Sequence, residues 1–202
     1  MARGEDERSV PRRARRADAA ANARSLVSAA RELFDEHGPE VALDVVARRA
    51  GVGNATLYRH FPTRADLLVA VYAEEAAALC RRGAGLLHEA SAGDALFDWL
   101  DDLLGHMAGM RALVPATAGG RDDGHTELFR RSHDTLTSTA EDLLERAKAA
   151  GALHPDLAVA DVLALTGAAA IAAGDTDHAR RLLQIMRRGL EVPDRKGRGP
   201  AG

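Results

Sequence analysis

Cysteine occurs once in this chain, at Cys80, and lysine twice, at Lys148 and Lys196. A single cysteine excludes an intrachain disulfide framework and a multi-cysteine metal site, and the expected compartment is the reducing cytoplasm. Aromatic residues make up 3% of the 202 positions, and few segments alternate β-branched or aromatic residues with polar ones, so strands are not expected. Long apolar runs are missing as well. The longest, Leu157 to Ala173, is alanine-rich and interrupted by Asp161, and the first twenty residues contain no apolar signal core. Neither a membrane span nor export is indicated. There is no Gly-x-Ser-x-Gly elbow, no His-Glu-x-x-His, no phosphate-cradling loop and no dinucleotide fingerprint, so no catalytic residue is assigned and an enzyme is not expected. The carboxylate pairs Asp101-Asp102 and Asp122-Asp123 read as solvated neighbours. His133-Asp134 and the run Asp175-Thr176-Asp177-His178 lack metal-ligand spacing and read as surface or capping groups, so neither metal nor cofactor is called for.

What the chain does have is helix-forming composition and an uneven distribution of charge. Ala, Leu, Glu and Arg recur at helical spacing, and the expected fold is all-α. The net charge is −3, yet from Arg12 to Arg64 ten arginines face six acidic residues, whereas from Ala65 onward fifteen basic residues face twenty-one acidic ones. A basic surplus confined to the front is what one small region meeting a polyanion would carry. Since arginine is the default cation here, a single one carries little weight.

The front region resolves into three helices. In the first, over Ala19 to His37, Ala23, Leu26, Val27, Ala30, Leu33 and Phe34 form one buried stripe, ended by Gly38-Pro39. The second spans Leu43 to Ala50, with Val46 and Ala50 inward, and Gly51-Val52-Gly53 makes the turn. The third runs from Asn54 to His60. At about 100° per residue, Leu57 and Phe61 point one way, while Ala55, Thr56 and Arg59 lie opposite and Tyr58 and His60 flank them. Two helices joined by a tight glycine turn and braced by a third form the helix-turn-helix arrangement that fits a major groove. Asn54 opens the reading helix. Ala55 and Thr56 allow close approach to base edges, and Arg59 suits guanine acceptors. Tyr58, His60 and Arg64 suit backbone phosphates. The plainer alternative makes Tyr58 and His60 packing residues and Arg59 a solvated charge.

The stretch VVARRAGVGNATLYRHFPTRADLL, Val45 to Leu68, resembles the DNA-binding segment of the tetracycline-repressor (TetR) family. Val46-Ala47, Ala50-Gly51-Val52, Leu57-Tyr58, His60-Phe61, Arg64 and Leu67 stand in register with its pattern, and the resemblance covers Ala19 to Leu79. Ala42 stands where the family often has Thr, Gly53 where it has Ser and Ala55 where it often has Gly, which removes hydroxyl contacts at 42 and 53. The resemblance implies a cytoplasmic, homodimeric transcriptional regulator that binds double-stranded operator DNA, a repressor released by a small-molecule effector. A helical module whose exposed third helix binds a protein partner is the alternative.

The expected architecture is an N-terminal helix-turn-helix head joined to a C-terminal helical bundle: a flexible basic arm over 1–18, the head over 19–64, the body over 65–191 with a linking helix at 65–82, and a disordered tail over 192–202. The basic stretch Pro11 to Arg16 either reaches DNA or merely aids solubility. Thr63 and Asp66 form a capping signal for the linking helix, whose apolar side is Leu67, Leu68, Val71, Ala78 and Leu79. Body helices are expected at Asp94 to Met110, Thr126 to Ala150, Pro155 to Ala173 and Asp175 to Glu191, with Gly119 to Gly124 as the clearest loop. By resemblance, the last two pair with their copies in a dimer, using Gly167 and its neighbouring alanines with Leu182, Leu183, Ile185, Met186 and Leu190; an intrachain core is the alternative. Position in the chain suggests Trp99, His106, Met107, Met110, Phe129 and His133 for an effector pocket, although such residues also serve as core.

Overall fold

The computed structural model describes residues 9–117 and 123–192, with side chains described over 16–107 and 127–192. It has eight α-helices among the described residues: α1 (Ser9–His37), α2 (Leu43–Arg49), α3 (Asn54–His60), α4 (Arg64–Leu86), α5 (Ala92–Thr117), α6 (Asp123–Ala149), α7 (Val159–Ala172) and α8 (Thr176–Leu190). The sole extended pairing among them is an isolated antiparallel bridge between Leu153 and Glu191. No described helix is long and apolar enough to cross a membrane. The helices form two compact units, Met1–Glu74 with Leu113–His125, and Glu75–Ala112 with Thr126–Gly202. The division falls inside α4.

In the first unit, Leu26, Ala29, Ala30 and Leu33 of α1 close over Val46 and Ala47 of α2 and Leu57 of α3, joined by Phe61, Leu67 and Val71. Ala50, expected inward, packs only at the edge, and Ala47 takes the buried place beside Val46. The turn between α2 and α3 is a Schellman motif. The Val52 N–H donates to the Ala47 carbonyl at 3.0 Å and the Gly51 N–H to that of Arg48 at 3.2 Å, with Gly51 at φ 70°, a conformation that costs glycine alone nothing in side-chain sterics. α4 opens on the expected capping box. The Thr63 N–H donates to an Asp66 carboxylate oxygen at 2.7 Å, and the Asp66 N–H donates back to Thr63 Oγ1 at 3.1 Å. At 23 residues, α4 is about 34 Å long.

The second unit is built around Trp99, with Leu96, Leu100, Leu104, Leu143, Leu144 and Leu153 fully buried near it. Trp99 donates its indole N–H to the Leu79 carbonyl of α4 at 3.0 Å. One turn further along, Gly83 lets α4, α5 and α6 meet: a Cβ there would lie 2.3 Å from Thr139 Cγ2 and 2.9 Å from Trp99 Nε1. Arg187 fastens α8 to α5. Its guanidinium pairs with Asp94, donates to Glu191 Oε1 at 2.6 Å and sits 5.1 Å above the centroid of the Phe97 ring. A Ser91 hydrogen bond and then Arg187 hold the Asp94 carboxyl below its usual pKa.

Several sequence expectations are corrected at their edges. α1 begins at Ser9, ten residues early, so the backbone of the basic stretch 11–16 is helical; proline is tolerated in a first helical turn, where its missing N–H would have no partner. α5 runs on past Met110 to Thr117, and Asp123 and Gly124 already belong to α6. α7 starts at Val159 instead of Pro155, because the preceding residues turn and bridge to the end of α8. Asp175 is the N-cap of α8, its carboxylate accepting from the His178 N–H at 2.7 Å. Residues 1–8 and the tail beyond Val192 lie outside the described residues.

Candidate nucleic-acid interface

α3 has seven residues, too few to be stable alone in water. Its helicity is therefore a product of what it packs on. Leu57 is fully buried and Phe61, which is the C-cap and leaves helical geometry, is 9% exposed. These two hold the inner side. On the other side Asn54, Ala55 and Arg59 are exposed, Tyr58 is 52% exposed, and Thr56 is half-buried. The Arg59 Nη2 lies 3.5 Å from Thr56 Oγ1, a contact at the outer limit of hydrogen bonding that leaves the guanidinium free to turn outward. Gly53 caps α3 at φ −76° in an extended conformation and supplies no side-chain bond, as does Ala42 for α2. The face centred on Arg59 is thus small at its front and cationic in its middle, the combination that admits a duplex edge and donates to it.

The residues expected on the flanks differ from one another. Tyr58 presents most of its ring outward. His60 is half-buried, and its Nε2 is enclosed without a hydrogen-bond partner among the described residues. Arg64 is half-buried and donates both hydrogens of one guanidinium nitrogen inward, to the carbonyls of Pro39 at 2.6 Å and Val41 at 2.8 Å. Its residue type and position suggest phosphate contact, but these two acceptors lie 25 and 23 residues upstream, where no local pattern points to them. Arg49 is likewise occupied, pairing with Glu32 and Glu36 of α1 at 3.1 and 3.5 Å. On α1, Arg16 and Arg24 are exposed.

The residues suggested for an effector pocket are dispersed in role. Trp99 is the enclosed anchor of the second core, and its indole N–H is used within that core. His106 is buried, its Nδ1 3.2 Å from a Glu75 carboxylate oxygen of α4. Met107 is half-buried against the core and its methyl fills the space beside Gly167, so Gly167 serves intrachain packing here. Phe129 is half-buried, His133 is exposed, and the Met110 side chain lies outside the described residues. Of the residues suggested for a dimer face, Leu183 is core, Leu182, Met186 and Leu190 pack partly on it, and Ile185 is 64% exposed. Leu165 at 49% and Ile171 at 65% exposure extend that apolar surface on α7. Among the described residues no group of three or more metal-binding side chains assembles.

A glycine-turned pair of short helices, braced by a longer one and showing a cationic outer face, defines a helix-turn-helix regulator carrying a separate helical body. Comparison with known proteins agrees in both parts. Residues 26–71 match the family model described as bacterial regulatory proteins, tetR family, and residues 91–192 match that of the C-terminal domain of SbtR-like transcriptional regulators. A solved TetR transcriptional regulator from Streptomyces coelicolor is 33% identical over 85% of this chain and 99% of its own, with a TM-score of 0.68. A TetR regulatory protein from Mycobacterium vanbaalenii is 32% identical over 88% of this chain and 99% of its own, also at 0.68. HTH-type transcriptional regulators of Staphylococcus aureus are 42% identical over 53 residues, so the match spans 29% of the length of those curated relatives and 26% of this chain. The chain belongs to the TetR family of bacterial transcriptional regulators, and its first unit is a DNA-binding helix-turn-helix domain. The protein-interaction alternative for α3 is not favoured.

Proposed function

We propose that this regulator acts as a homodimeric repressor in the cytoplasm, reading a two-fold operator with α3 and releasing it when a small molecule binds the helical body. The observation that carries the DNA-reading part is the outer face of α3, where Asn54, Ala55, Tyr58 and Arg59 are exposed over a Leu57 anchor that is wholly buried. Two such faces in a two-fold dimer would meet half-sites about 34–36 Å apart. Leu165, Ile171 and Ile185 supply apolar surface on the last two helices for that pairing. By the family's habit, the effector would enter among the middle helices of the body. The switch requires differential binding: moving a 1:99 equilibrium to 99:1 takes about 5.5 kcal/mol between the two states.

Sequencing genomic fragments retained by the purified full chain tests this reading. Enrichment of a palindrome with half-sites one helical turn apart supports it, and recovery of no enriched sequence overturns it. Arg59→Ala is expected to cost about 1–3 kcal/mol of affinity at particular base pairs of the enriched site and much less on random duplex. An equal loss on both duplexes would assign Arg59 to the phosphates instead.

A further inference from the structure

The loop from Gly38 to Ala42 leads into α2, and apart from the edge packing of Val41 and Leu43 its entry has little local restraint. Ala42 offers no side-chain cap, and the backbone supplies only the ordinary bonds from the Val45 and Val46 N–H groups to the Ala42 carbonyl, at 3.0 and 3.4 Å. The missing restraint comes from the far side of the reading helix. Arg64, the first residue of α4, directs Nη1 at the Pro39 and Val41 carbonyls at 2.6 and 2.8 Å. Both are charge-assisted bonds in a half-buried setting, which puts them among the stronger kind. Among the described residues no carboxylate pairs with this guanidinium, so the two carbonyl dipoles are what compensates its charge. The apolar contacts follow the same path: Leu67 and Val71 of α4 are buried in one cluster with Val46, Leu57 and Phe61, and Val41 packs at its edge.

We propose that Arg64 is a positioning residue for DNA reading: its guanidinium latches the start of α4 to the loop entering α2, so that α2, α3 and the first turns of α4 move as one body. The inference rests on the DNA-reading role of α3 and assigns Arg64 a part different from phosphate contact. A phosphate ligand leaves the resting protein unchanged when removed and takes a counterion with it. A latch does the reverse. Its loss loosens the entry to α2 in the free protein, and the number of ions released on binding stays the same.

The test uses full-length Arg64→Met and Arg64→Lys chains, a duplex selected with the wild-type protein, and a random duplex of equal length. In the DNA-free protein, Arg64→Met is expected to speed hydrogen exchange of the Val45 and Val46 amides, the first of α2 to be hydrogen-bonded, about tenfold. On the selected duplex it is expected to weaken binding by a similar factor. The slope of log affinity against log salt should match wild type. Arg64→Lys, which keeps a cationic donor, should restore part of the protection and of the affinity. Unchanged exchange together with a slope reduced by about one would make Arg64 a phosphate ligand and overturn the proposal. If the wild-type chain selects no duplex, the DNA-reading role fails, and the exchange measurement alone decides whether the latch exists. If Arg64→Met does not fold, Arg64→Lys carries the test: wild-type exchange with a lowered affinity overturns the latch.

Discussion

Trp99→Ala is expected to lower the stability of the second unit by about 3–5 kcal/mol, the range for emptying a large, fully enclosed aromatic site. The loss is one of packing. Trp99 has no exposed surface, and the Leu79 carbonyl that accepts its indole N–H is also the acceptor that helical geometry assigns to the Gly83 N–H, so truncation opens a cavity without orphaning a polar group. Urea unfolding followed by far-ultraviolet circular dichroism, at one fixed protein concentration, measures it. A loss under 1 kcal/mol would mean that the site is open and could hold a ligand. Gly83→Ala examines the same joint from the other side. Helix propensity favours alanine by about 1 kcal/mol, but the new Cβ would lie 2.3 Å from Thr139 Cγ2. Thr139 cannot swing away freely, since its hydroxyl donates to the Thr135 carbonyl at 2.9 Å. Overpacking of about 1–3 kcal/mol should therefore prevail. Thr139→Ser deletes the clashing methyl and keeps that hydroxyl, so it should recover part of the loss in the double variant, the 2.9 Å approach to Trp99 Nε1 remaining. A net gain from Gly83→Ala alone would show that the three helices are not in close contact.

That joint also shows where sequence reasoning stops. The α3 boundaries, the Gly51 turn, the capping box of Thr63 and Asp66 and the Leu57 anchor were all legible, because each rests on residues within a turn or two of one another. Sequence suggests phosphate for Arg64 and leaves Trp99 open between pocket and core, whereas both donate to main-chain carbonyls 20 to 25 residues upstream. Residue type announces a donor, whereas its acceptor is set by tertiary packing. The early start of α1 has a different origin. An arginine-rich stretch with a proline reads as a tail, yet proline fits a first turn and the rest of the segment has no helix breaker. Ile185, named with the other apolar residues of α8, could not be told from core by periodicity, since α8 is apolar over a wide arc; only burial separates it from Leu183.

Leu57→Ala is expected to cost the first unit about 2–5 kcal/mol, and the consequence for DNA binding follows from the size of that unit. Its core is a single cluster from α1, α2, α3 and the beginning of α4, and a core in a segment of some seventy residues supplies only about 3–5 kcal/mol. The substitution therefore brings the unit close to its midpoint, while the second core, which contains none of these residues, is untouched. Apparent affinity falls by the fraction of molecules in which α3 is docked. The expected result is a loss of at least about tenfold on every duplex, a separate low-denaturant unfolding phase, and hydrogen-exchange protection lost in α2 and α3 but kept in α7 and α8. This pattern separates Leu57 from Arg59. Truncating the exposed Arg59 leaves the head folded and is expected to discriminate among base pairs, whereas truncating Leu57 is expected to remove the head's fold and discriminate among none. Leu57→Ala with wild-type affinity would mean that α3 does not depend on its buried side for its position, and a face centred on Arg59 would then have no fixed orientation from which to read a groove.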